Sequence, residues 1–227
     1  MDPYAPHAGP PVEAPQRPDA LQPRASLPPF CTALIAVCVV VFLGGAMNLS
    51  LLGVESLALY GPYVAQGEWW RVLTTVLVHG GTLHIVFNMM AVVTLGFPLE
   101  RMLGTARMAA VSLVSALGGA AMVLALSVTS PTVGASGMIL GWAGALFPMI
   151  TRESRARLAS QLALVVVISF QPHVSWQGHA GGFAAGLACG ALLRLGPRRF
   201  NALWTALAAA LVAIIVVVTR AGGVSVR

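Results

Sequence analysis

Ser136 lies in Gly134-Ala135-Ser136-Gly137, His179 in Gly178-His179-Ala180-Gly181-Gly182, and His84 precedes Asn88 by four residues. A serine hydroxyl is a poor nucleophile until a base takes its proton, and imidazole is the side chain that does this near neutral pH. If Ser136 opens a helix, unpaired backbone amides and the positive end of the helix dipole lie beside it. Those are the donors that a tetrahedral oxyanion wants. Four apart on a helix, His84 and Asn88 share one face and offer two more. Glycines flanking the serine let a substrate backbone come close. The chemistry these residues suit is acyl transfer.

What accompanies them narrows the choice. A hydrolase triad needs a carboxylate, but Asp2 and Asp19 fall in the amino-terminal tail and Glu100 at the far end of its helix. A Ser–His dyad is what the chain assembles. The same shortage excludes an aspartyl intramembrane protease, and no His-Glu-x-x-His stretch supports a zinc peptidase. Met138 stands where the nucleophile elbow of soluble hydrolases has its last glycine. Cys31, Cys38 and Cys189 sit inside apolar runs, without disulfide or metal-ligand spacing, and read as small packing residues. No metal, nucleotide or other cofactor is implied.

The elements that must hold these residues are membrane helices. Of 227 residues 57% are hydrophobic and only 9% charged, against about a quarter charged in soluble domains. Mean hydropathy is +0.83, which excludes a soluble enzyme, a disordered scaffold and a collagen-like rod. The net charge of +6 comes with no basic cluster interleaved with aromatics, so nucleic acid is not an expected partner. Charge-free runs predict seven helices: 30–47, 82–99, 107–128, 135–151, 155–170, 178–194 and 200–219. The first run, Phe30 to Met47, has about the 18 residues that cross ~30 Å of hydrocarbon. Thr129 to Thr132 marks the turn between the third and fourth helices. Residues 1–29 hold nine prolines and read as a disordered tail.

Every basic residue is an arginine, and with a cytoplasmic amino terminus ten fall inside against Arg71, Arg220 and Arg227 outside. That is a positive-inside bias. Even-numbered helices then start at the outer face, which brings His84, Asn88, Ser136 and His179 to similar depth. Polar groups in hydrocarbon are costly and mark function. The segment before Met1's first helix lacks a signal-peptide stretch and an organelle presequence, so a bacterial plasma membrane is the expected location.

Taken together the chain resembles the rhomboid family of intramembrane serine proteases. The matching pieces are Trp70-Arg71, His79 and His84 with Asn88, Glu100-Arg101 with Gly104, Gly134-Ala135-Ser136-Gly137, and His179 followed by Gly182 and Gly186. The resemblance covers about residues 30–195. It implies an all-α polytopic bundle, a six-helix core over 30–195, then a loop, a seventh helix and a short outer tail over 196–227. It also implies Ser136 as nucleophile, His179 as general base, and His84, Asn88 and the Ser136 amide as oxyanion donors. Trp70 and Arg71 would belong to a half-submerged outer loop. Gly182, Gly186 and Gly190 would press the sixth helix on the fourth at Gly137 and Gly141. Family members often carry an aromatic one turn after the serine; Leu140 stands here instead.

Secondary expectations follow. Glu100 and Arg101 pair at the inner surface, His79 anchors a loop, His173 is solvated in the turn before the sixth helix, and Trp176 is an interfacial anchor. Ser112, Ser115 and Ser127 serve packing and hydrogen bonding. The partners implied are the lipid bilayer and transmembrane protein substrates, cut near their outer ends where water reaches Ser136 through a polar cavity. The rival reading is a catalytically silent rhomboid-like binder of membrane clients. A histidine-relay transporter would show repeat symmetry and more mid-membrane ionisable groups, and the chain has neither.

Overall fold

A computed structural model describes residues 26–171 and 174–221. The expected tail, save its last four residues, and His173 lie outside the described residues. Within them run seven long helices: α1 (Pro29–Ala46), α2 (Thr82–Leu103), α3 (Thr105–Leu126), α4 (Ser136–Leu146), α5 (Arg152–Ser169), α6 (Trp176–Arg194) and α7 (Pro197–Ala221). Of these α1, α2, α3 and α7 are long and apolar enough to cross a membrane unaided. The fold is a polytopic helical membrane bundle.

The helix ends have local causes. Pro29 opens α1, where its missing N–H costs nothing. The second helix outruns the expected Leu99 and stops at Gly104, whose φ of 79° suits a glycine at a helix end. It carries a π-helical stretch at Val92–Gly96, just before Pro98 withholds its N–H. The fourth helix stops at Leu146 rather than 151, because Pro148 cannot donate to the carbonyl one turn back. At the start of α6 the Ser175 hydroxyl accepts from the Gly178 amide at 3.2 Å, an N-cap that begins the helix two residues early.

Glu100 does not pair with Arg101. Its carboxylate is buried and accepts from the amides of Phe30 and Cys31, both at 2.9 Å, and from Thr105 Oγ1 at 2.8 Å. It therefore caps α1 from a distance of about 70 residues in sequence, placing negative charge where the helix dipole favours it. The Arg101 guanidinium lies over the Phe97 ring at 5.9 Å instead.

The core is built around α6, which packs against both α4 and α3, while α7 covers α3. Glycines set the spacing. A Cβ on Gly182 would collide with the Gly137 carbonyl, on Gly186 with that of Gly141, and on Gly190 with that of Ala145. Close backbone approach at small residues is how membrane helices gain packing energy where no hydrophobic drive exists between them. Trp142 of α4 is fully buried and donates to Ser112 Oγ at 2.9 Å, which itself donates to the Met108 carbonyl at 2.7 Å. Cys31, Cys38 and Cys189 are buried free thiols.

Candidate active site

Between α1 and α2 the chain forms short helical pieces (Ser50–Leu52, Val54–Leu57, Gly61–Ala65, Arg71–Thr74, Thr75–Leu77) where only a loop is expected from sequence. Arg71 is buried; its Nε donates to Glu68 at 2.6 Å, its NH1 to the Ala58 carbonyl at 2.9 Å, and it lies 4.7 Å from the Tyr63 ring. Trp70 stays half exposed, its indole N–H on the Ser56 carbonyl at 3.3 Å. This folded loop grips the segment that leads to Ser136. Leu59 and Thr132 exchange backbone bonds at 3.0 and 2.9 Å, Gly61 N–H reaches Val128 at 2.9 Å, and Gly134 N–H reaches Thr75 at 2.9 Å. Four ties over seven residues fix the backbone just ahead of the serine.

Ser136 is the first residue of α4, so its amide is among those without an intrahelical partner. Gly134, two residues before it, has a φ of 115° that side chains rarely adopt, and a Cβ there would meet His84 Nε2 at 2.6 Å. The imidazole of His84 thus sits against the turn that presents Ser136. Asn88 is buried on the next turn of α2 and donates one amide hydrogen to the His84 carbonyl at 2.9 Å, leaving the other free.

From the opposite side α6 brings His179, whose Nε2 lies 2.7 Å from Ser136 Oγ. Those two residues are 43 apart in sequence and meet because Gly137, next to Ser136, and Gly182, one turn after His179, let the helices touch. The other ring nitrogen is also occupied: Nδ1 is 2.5 Å from Ser169 Oγ, at the last residue of α5. Reasoning from sequence sought a carboxylate for that place and missed the serine. The available signal was a hydroxyl at the carboxyl end of the fifth helix, shortly before the helix that carries His179.

His79 lies in the chain just ahead of α2, which starts at Thr82. It is buried with its ring edge-on to His84, centroids 5.0 Å apart, and among the described residues neither ring nitrogen meets a partner in good hydrogen-bond geometry. Burial, with the neighbouring His84, pushes its pKa down to about 4. Ser127 accepts from Gln177 Nε2 at 2.5 Å, tying the end of α3 to the start of α6. Trp176 stacks on Phe170 at 6.3 Å. Both border a cavity of about 430 Å³ between α4, α5 and α6, where Leu140, Phe147 and Phe183 join His179 and Ser169. Its walls are almost wholly apolar, unlike the polar approach expected for water. Among the described residues no three His, Cys, Asp or Glu side chains converge as a metal-holding group.

Apolar helices in a polytopic bundle define an integral membrane protein, here with a serine and an imidazole in contact between two of its helices. The Rhomboid domain family model matches residues 66–196, more than half of the chain, and the protein belongs to the rhomboid family. That family is in general one of intramembrane serine proteases, with inactive members among them. The chain is 29% identical to Rhomboid protease GluP of Bacillus subtilis over 180 residues, covering 74% of this chain and 35% of that one. It is 35% identical to RHOMBOID-like protein 5 of Arabidopsis thaliana, over 62% of this chain and 49% of the relative. With RHOMBOID-like protein 6, mitochondrial, from the same plant, identity is 32% over 60% and 47% of the two chains. The chain thus spans between about a third and a half of the length of these curated relatives.

Proposed function

We propose that this protein is an intramembrane serine endopeptidase that cuts transmembrane segments of other membrane proteins near their outer ends. The observation that carries the reading is the 2.7 Å contact between Ser136 Oγ and His179 Nε2, at the starts of two helices held together by glycine. Ser136 Oγ attacks the scissile carbonyl carbon while its proton passes to His179 Nε2. The carbonyl oxygen becomes an oxyanion, received by the Ser136 amide, the His84 ring and the free Asn88 amide hydrogen. The C–N bond then breaks, and the leaving nitrogen takes the proton from His179. Water, giving its proton to the same imidazole, hydrolyses the acyl ester and restores the hydroxyl.

A helical peptide bond hides its carbonyl from attack, so the substrate helix unwinds at the cut. Small or helix-breaking residues there ease the step. The apolar cavity beside His179 suits a side chain from a lipid-embedded segment. Residues 30–195 form the catalytic core in this reading, with α7 appended; the proposed location is a bacterial plasma membrane, and the arginine distribution supports a cytoplasmic amino terminus.

The test is a defined transmembrane substrate in vesicles with wild type and Ser136→Ala, alongside labelling by a fluorophosphonate. Wild type cuts the substrate and is labelled at Ser136; Ser136→Ala does neither. Equal cleavage by both proteins ends the reading. A wild type that binds the segment but neither cuts nor labels is the silent binder instead.

A further inference from the structure

We infer that Ser169 is a positioning residue that selects the proton arrangement His179 needs as a base, a role that rests on the proposed protease reading for its kinetic consequence. Ser169 ends α5, is 6% exposed, and has two hydrogen-bond neighbours among the described residues: the Val165 carbonyl at 2.7 Å and His179 Nδ1 at 2.5 Å. A hydroxyl has one hydrogen. The Val165 carbonyl can only accept, so the hydroxyl hydrogen is directed there and the oxygen is left as an acceptor. Nδ1 must then be the nitrogen that carries hydrogen.

The consequence reaches the other side of the ring. A neutral imidazole with hydrogen on Nδ1 has a bare Nε2, and that nitrogen faces Ser136 Oγ at 2.7 Å. The polar chain therefore runs in one direction: Ser136 donates to His179, His179 to Ser169, and Ser169 to Val165. The opposite tautomer would point an N–H at the nucleophile and leave no acceptor for its proton. When Ser136 gives up its proton, the imidazolium keeps its Nδ1–H bond to Ser169 Oγ and returns the Nε2 proton to the leaving amine. Ser169 thus fills the orienting place of the triad carboxylate, without its charge. Leu140, across the cavity, offers the ring only an aliphatic surface.

Three variants and a spectrum test this. Ser169→Ala is expected to lower kcat roughly tenfold with KM unchanged, the scale of one neutral hydrogen bond. Ser169→Thr, which keeps the hydroxyl, returns kcat to within about twofold of wild type on the same scale. Nitrogen-15 spectra of histidine-labelled protein show hydrogen on Nδ1 of His179 in wild type and a mixture of tautomers in Ser169→Ala. Unchanged kcat in Ser169→Ala, or an unchanged tautomer, overturns the inference. If Ser169→Ala does not fold, the isosteric pair Ser169→Thr and Ser169→Val poses the same comparison. A wild type that cuts nothing ends the protease reading alone, because the tautomer of His179 still decides the role of Ser169.

Discussion

Ser136 owes its setting to neighbours that hold it on three sides: the tied segment before it, His84 beneath Gly134, and His179 across from it. Donors aimed at developing charge count for most in such a site, and removal of one costs about 10²–10³ in kcat. Asn88→Ala is therefore expected to lower kcat by about that factor with little change in KM, read from steady-state cleavage. His79 gives a separate prediction. In the folded protein its pKa is down at about 4, against an ordinary 6.5, so the unfolded chain takes up the proton first as pH falls. Stability contributed by the neutral ring is full above pH 6.5 and is lost on acidification toward 4. Unfolding midpoints measured from pH 7.5 to 4 should fall more steeply in wild type than in His79→Leu.

At the scale of helices, the α4–α6 seam decides whether serine and histidine meet at all. Gly186→Val pushes on the Gly141 carbonyl, and overpacking of this kind costs about 1–3 kcal/mol. Its expected result is a lower unfolding temperature together with lost fluorophosphonate labelling, although the residue lies two turns below the site. Glu100 holds a second seam. Its three acceptor bonds join α1 to the junction of α2 and α3, and Glu100→Ala leaves two helix-start amides without their partner. Charge-assisted bonds are worth about 1.5–3 kcal/mol, so this variant loses stability on that scale, with faster hydrogen exchange at the start of α1. Sequence patterning located both helices but read Glu100 as half of a surface ion pair with Arg101. Adjacent opposite charges invite that reading, and nothing local reveals that a distant helix start lacks a cap.

Across the whole molecule, one end of the bundle collects the starts of α2, α4 and α6, and the other carries most of the arginines, beside the opposite helix ends. Arg107 Nε reaches Asn201 at 3.3 Å, joining the start of α3 to that of α7 at the arginine-bearing end. The positive-inside bias predicts this end to be cytoplasmic. In intact cells an impermeant maleimide should label Thr129→Cys, and should reach Arg198→Cys only after permeabilisation; both positions are exposed and the native thiols are buried. The reverse pattern would put the Ser136 end inside and remove the outer-face cut from the proposal.

Sequence alone located the helices and the register of their polar residues along them. Hydrocarbon tolerates only backbones that satisfy their own hydrogen bonds, so charge-free length sets each span. It also placed His84, Asn88, Ser136 and His179 at helix starts, which is a matter of register along the chain. What tertiary structure decided is azimuth and contact: which face of α6 meets α4, that Ser169 closes on His179 from a third helix, and that the loop over 50–77 folds to grip the segment before Ser136. Those depend on glycine clearances and on bonds between segments far apart in the chain, and one-dimensional patterning carries neither the rotation of a helix about its axis nor the position of its neighbour.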